Sequence, residues 1–183
     1  IFLLSLKAGG LALNLTKGQK ISLNKEAGNS LTQVTMGLGW DPVKKGGMLG
    51  GLFGSSGGSI DLDASCVMFD DQGKAADIVW FRQLKSQDGS IIHTGDNMTG
   101  EGEGDDEQII VNLDKIPEHI KTLVFTVNSF TGQTFDSVES AYCRMVEGKS
   151  NREIARFTLS GKGNHSAQIM AKLLSLIHIS EPT

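Results

Sequence analysis

Apolar and polar positions alternate with a period of two in several short stretches of this chain, the signature of half-buried β-strands. Ser59 to Phe69 (SIDLDASCVMF) is the clearest case: Ile60, Leu62, Ala64, Cys66 and Met68 fall on one face, Asp61, Asp63 and Ser65 on the other. Val34, Met36 and Leu38 mark a strand that ends at Asp41-Pro42. Further strands are predicted at Ala76 to Gln83 (with Trp80 and Phe81 on opposite faces), Ser90 to Thr94, Gln108 to Leu113, Lys121 to Asn128, Ala141 to Glu147, Glu153 to Leu159 and Ser166 to Leu173. Leu11 to Leu15 and Lys20 to Leu23, separated by Lys17-Gly18, predict a hairpin. Asp70-Asp-Gln-Gly73 and Gln87-Asp-Gly89 are turn signals, and Gln133 to Ser140 predicts a single helical turn. Some ten short strands with frequent turns and no long amphipathic helix point to an all-β fold, a two-sheet β-sandwich with one or two short helical turns.

Composition fits that picture. A chain of 183 residues suits one domain with a real core. Its 39% hydrophobic and 21% charged residues are those of a globular protein. Glycine, at 23 residues against 3 prolines, supplies the many tight turns. The net charge of -4 offers no basic footprint for nucleic acid. Cys66 and Cys143 lie in apolar segments with no metal-type spacing, which predicts buried free thiols in a reducing compartment. No stretch reaches the roughly 18 apolar residues of a membrane helix, and Ile1 to Leu4 lacks the charged region and cleavage site of a signal peptide. The expectation is a soluble cytoplasmic protein with no direct membrane insertion.

The chemistry concentrates in Gly95-Asp-Asn-Met-Thr-Gly-Glu-Gly-Glu-Gly-Asp-Asp-Glu107. Asp96, Glu101, Glu103, Asp105, Asp106 and Glu107 bring six carboxylates into this stretch, with four glycines and no basic residue. Charges this dense repel one another unless water solvates each or a cation neutralises them. The alternation with Gly100, Gly102 and Gly104 lets the backbone turn tightly and point carbonyls inward. Calcium, which takes six to eight oxygens in irregular geometry, suits such a loop, and the donors, with the Asn97 amide and the Thr99 hydroxyl, suffice for two ions. The loop is not an EF-hand, since from Asp96 that pattern puts Met98 and Gly100 at ligand positions. Asp61 and Asp63 form a second acidic group, about 7 Å apart on one face of a strand; if the loop folds over that strand the two groups share a site. A solvated acidic loop is the alternative. Asp41 reads as a turn residue or an additional ligand.

Other motifs carry less. Lys44 to Ser59 (KKGGMLGGLFGSSGGS) is a glycine-rich insertion, read as a hairpin tip or lid. Its Gly54-Ser-Ser-Gly-Gly58 matches the nucleophile-elbow pattern at Ser56 but lacks the strand before and helix after that the motif needs. Gly148-Lys-Ser150 resembles the end of a phosphate-binding loop, with Cys143 where the first glycine belongs. His93, His119, His165 and His178 show no metal spacing, and His93, close to the acidic loop, reads as a strand residue. Two functions compete: a calcium-dependent binding or scaffold module, and a metal-dependent enzyme such as a phosphoryl hydrolase. No catalytic constellation is found and no basic residue adjoins the acids to hold phosphate, so the enzyme ranks second. Binding of a small ligand such as a nucleotide is a third reading.

Gly37-Leu-Gly-Trp-Asp-Pro42, Ile60-Asp-Leu-Asp-Ala-Ser65, the acidic loop and Phe125-Thr-Val-Asn-Ser129 resemble, in order, the signature of the tellurium-resistance TerD family, and the Lys44 to Ser59 insertion resembles that of its TerZ branch. The resemblance covers residues 5–173. It implies a calcium-binding β-sandwich of the bacterial cytoplasm, linked to resistance to tellurite and other chemical stresses and working with other Ter-system proteins, including a membrane partner. It also implies ion binding by Asp61, Asp63, Asp96, Asn97, Glu101, Asp105, Asp106 and Glu107. Glu103 stands where the family commonly has aspartate, and its extra methylene either makes it bidentate or removes it from the cage. The chain departs from the family after Leu173; residues 174–183, and residues 1–4, read as non-native extensions of an incomplete domain.

Overall fold

The computed structural model describes residues 31–41, 60–135, 138, 140–159 and 164–175, together with the backbone of three short strands at 2–4, 13–14 and 21–22. The strands are β1 Phe2–Leu4, β2 Leu13–Asn14, β3 Ile21–Ser22, β4 Gln33–Gly39, β5 Leu62–Asp70, β6 Ala75–Val79, β7 Ile91–His93, β8 Glu107–Asn112, β9 Ile120–Ser129, β10 Tyr142–Glu147, β11 Glu153–Thr158 and β12 Ala167–Ser175. A 3-10 turn, Leu113–Lys115, follows β8. The Lys44 to Ser59 insertion, with Ser56, and parts of the Gln133 to Ser140 turn lie outside the described residues.

The strands form two six-stranded sheets, in the orders β3-β1-β12-β9-β5-β6 and β2-β11-β10-β4-β8-β7. This is the expected sandwich. Neighbours run antiparallel except β2, which lies parallel to β11. Alternation explains the core. Leu62, Ala64, Cys66 and Met68 of β5 and Leu123, Phe125 and Val127 of β9 are buried in one cluster with Val34, Met36 and Leu38 of β4 and Ile109 and Val111 of β8. Cys66 and Cys143 are buried free thiols, and burial pushes Cys143 up to about 12.

Two local expectations are corrected. The predicted hairpin between Leu11–Leu15 and Lys20–Leu23 does not form: Leu13 pairs with Ala155 in one sheet and Ile21 with Leu4 in the other. Each strand is only two residues long, so the edges they meet outweigh the turn signal between them. The strand expected over Ala76 to Gln83 stops at Val79, because Trp80 and Gln83 exchange backbone hydrogen bonds around a turn at Phe81-Arg82. At the other end of the chain, β12 continues to Ser175 and pairs with β1, Phe2 opposite Ser175.

One consequence of this layout positions the site. β6 pairs with β5 only from Cys66 onward, so among the described strands Leu62 to Ser65 pairs with β9 on one side and with none on the other. Strand edges require partners for their N–H groups. The acidic loop that joins β7 to β8 supplies one.

Candidate metal centre

The free edge of β5 is closed by a carboxylate. The Ala64 N–H donates to Glu107 Oε2 at 2.8 Å, and the Asn97 N–H donates to Oε1 at 3.2 Å. Glu107 is fully buried at the start of β8. His93, the last residue of β7, sets its Nε2 3.4 Å from Glu107 Oε2. Its Nδ1 accepts the Gly95 N–H at 3.1 Å, and its Nε2 is buried beside the carboxylate without a hydrogen bond. Glu107 therefore ties together β5 of one sheet, β7 and β8 of the other, and the loop.

Above this tie the fold gathers three more acids. Asp63 lies in β5 and Asp61 immediately before it, both gathered here as the alternation predicts, and Asp96 comes from the loop. One oxygen from each lies within 4.8 Å of the others. Asp61 and Asp63 are only 6% and 4% exposed. Burial, and then the charges of Asp61, Glu107 and Asp96, push Asp63 from 3.8 up to about 7, with His93 pulling in the opposite direction. Asp61 is raised by burial, Asp96 and Glu107. Asp61 Oδ1 is buried with no hydrogen-bond partner. A buried, unpartnered anionic oxygen is costly, and here it belongs to a carboxylate that also stands among like charges. A hard cation relieves both costs: three carboxylates provide three to six of the six to eight oxygens calcium takes. The absence of Cys or His from the trio disfavours zinc.

The rest of the loop is occupied otherwise. Asn97 Oδ1 accepts the N–H groups of Thr99 and Gly100, a local turn that keeps the amide oxygen at work inside the loop. Gly100 has φ +67, and a Cβ there would collide with Trp40. Asp106 accepts the Trp40 N–H at 2.8 Å and the Asn97 Nδ2 at 3.1 Å. Burial raises its carboxyl while the Trp40 hydrogen bond opposes the shift. Asp105 is held by Arg144 on β10, Nε to Oδ1 at 2.7 Å and Nη2 to Oδ2 at 3.1 Å. Glu101 and Glu103 are exposed, and so is Asp41. Of the nine residues expected at the site, the fold thus brings Asp61, Asp63 and Asp96 together over Glu107, spends Asn97, Asp105 and Asp106 on shaping the loop, and leaves Glu101 and Glu103 in solvent.

Arg144 and the Tyr142 beside it escape a sequence reading. Both stand opposite glycines of β4, Arg144 against Gly37 and Tyr142 against Gly39. Two glycines spaced by one residue inside a strand signal a close approach of other groups, and that signal was available.

Comparisons with known proteins bear on the family and the fold. Residues 11–175 match the TerD domain. Tellurium resistance protein TerZ of Serratia marcescens is 52% identical over 161 residues, 88% of this chain and 82% of that protein. Stress response protein SCP2 of Bacillus subtilis (strain 168) is 43% identical over 158 residues, 81% of this chain and 78% of the relative. These names describe resistance and stress response and specify no reaction. In fold, the chain resembles the crystal structure of a homologue of telluride resistance protein (TerD) from Streptomyces coelicolor A3(2), with a TM-score of 0.63 and 23% identity over 78% of this chain and 80% of the other. Among the described residues no helix is long and apolar enough to cross a membrane.

Proposed function

Because the chain belongs to the TerD family, we propose that it is a calcium-binding module of a bacterial system for resistance to tellurite and other chemical stresses. In this reading it acts in the cytoplasm as a scaffold or binding protein alongside other Ter-system proteins, a membrane partner among them. The observation that carries the calcium reading is the convergence of Asp61, Asp63 and Asp96, one oxygen of each within 4.8 Å of the others, together with an Asp61 Oδ1 that is buried without a hydrogen bond. Donors drawn from a strand and a loop form an irregular set, which suits calcium better than magnesium with its demand for octahedral geometry. The ion is a structural staple: it draws Asp96 of one sheet's loop onto β5 of the other sheet. A second, weaker ion would draw on the exposed Glu101 and Glu103. Arg144, a basic side chain that the fold brings to the loop, is held on Asp105 and Glu153 and so is not free to clamp a phosphate, which leaves the hydrolase reading without support.

The test is thermal melting with calcium or magnesium, followed by calorimetric titration. Calcium is expected to raise the melting temperature far more than magnesium, with one tight ion that Asp61→Asn abolishes. Equal shifts for the two ions, or no heat of calcium binding, would overturn the reading.

A further inference from the structure

Arg144 lies on the outer face of its sheet, 39 residues from its partner Asp105, and the contact is more elaborate than a surface ion pair. The guanidinium grips both carboxylate oxygens. Gln108 Nε2 donates to Oδ2 at 3.2 Å, and the Tyr142 hydroxyl donates to the carbonyl of neighbouring Gly104 at 2.6 Å. The Asp105 side chain is 1% exposed, lying in a slot that exists because Gly37 and Gly39 have no Cβ: one at Gly37 would overlap the carboxylate and one at Gly39 the Tyr142 ring. From this anchor a hydrogen-bonded chain runs to the trio. The N–H of Asp106, next to Asp105, donates to the Leu38 carbonyl at 2.8 Å. Asp106 Oδ1 accepts from the Asn97 side chain, and Asn97 adjoins Asp96.

We propose that Arg144 and Asp105 form a clip that positions Asp96 over Asp61 and Asp63, so that Asp105 serves ion binding as an anchor of the loop and not as a ligand. The proposal rests on the cation reading of the trio. It makes a prediction opposite in sign to that of simple electrostatics. Arg144 carries positive charge beside a group that is to bind a cation, so charge alone makes its removal strengthen calcium binding. A clip makes removal weaken it. Groups that orient the ligands of a metal site typically cost about 10- to 100-fold in affinity when lost.

The experiment is calcium titration by calorimetry of the full chain, with Arg144→Gln, Arg144→Lys, Asp105→Asn and the double variant Arg144→Gln/Asp105→Asn. Each single variant is expected to weaken calcium binding, Arg144→Gln by about 10-fold or more. Arg144→Lys should weaken it too, because it keeps the charge but loses the two-pronged grip. The double variant should bind no more weakly than the worse single, since either change already opens the clip. Tighter or unchanged binding in Arg144→Gln overturns the proposal, and so does a double variant whose losses add, which is the mark of Asp105 acting as a ligand in its own right. Arg144→Gln leaves Asp105 buried and unpaired and so risks unfolding, whereas the double variant is neutral at both positions and provides the folded comparison. Failure of the cation reading itself gives a different result, because the unsubstituted protein then binds no calcium.

Discussion

Asp63 shows what the site costs the fold when no ion compensates it. Its carboxyl is pushed from 3.8 to about 7 by burial and by Asp61, Glu107 and Asp96. Between those values the folded protein holds a proton that the unfolded chain has released. Stability therefore falls as pH rises through this window and levels off above it. Asp61 and Asp106, also raised, act in the same direction. Asp88 and Glu153 are lowered, so the stability they contribute is lost only in more acidic solution, outside the window. In the presence of a chelator the melting temperature is expected to drop between pH 5 and pH 7.5, and Asp63→Asn should flatten that slope and raise the melting temperature at pH 7.5, because an amide has no charge to bury. A chelated protein that becomes more stable from pH 5 to pH 7.5, or an Asp63→Asn variant with an undiminished slope, would show that these carboxylates do not crowd one another as described.

At the scale of elements, β4 does more than fill the core. Its inward residues Val34, Met36 and Leu38 are buried, while Gly37 and Gly39 on the opposite face leave the slot for Asp105 and Tyr142. Gly37→Ala is expected to destabilise the protein by about 1–3 kcal/mol, the usual cost of overpacking, and to weaken calcium binding as the loop is pushed off the sheet. Gly73→Ala is the control. It sits in a turn at φ +76 with open space around it, so it should incur backbone strain of about 1–2 kcal/mol and leave calcium affinity unchanged. Urea unfolding and calorimetry read the two effects, and a Gly37→Ala protein with full calcium affinity would mean the slot is incidental. The same strand marks how far a sequence can be read. Period-two alternation locates β4, β5, β8, β9 and β10, which bury one face along most of their length, and it puts Asp61 and Asp63 on a common side. It could not pair β2 and β3 correctly, since strands of two residues take their partners from distant edges. Nor could it separate ligand-like acids from anchoring ones in a loop where all look alike. In the proposed reading that distinction depends on Arg144, which in the run Tyr-Cys-Arg-Met looks like any other outward-facing strand residue.

Across the whole molecule, the candidate site lies where the two sheets are joined. Asp61 and Asp63 belong to the sheet that contains β9 and β12, while Asp96 and Glu107 come from the loop and strand of the other sheet. An ion that bridges them binds the folded state alone, and at 100 times its dissociation constant such a ligand adds about 2.7 kcal/mol of stability. For a domain of this size that corresponds to roughly 5–10 °C in melting temperature. Hydrogen exchange then distinguishes a bridging ion from one held by the loop alone. Opening the contact between the loop and β5 would release a bridging ion, so the amides of Asn97 and Ala64, which both donate to Glu107, should slow by the same factor, about 100-fold at that calcium concentration. The Trp40 amide, bonded to Asp106, should follow them. The Lys74 amide, in the β5–β6 turn and bonded to Asp70, opens without disturbing the site and should exchange as before. If calcium slows Asn97 and leaves Ala64 unchanged, the loop holds the ion without β5.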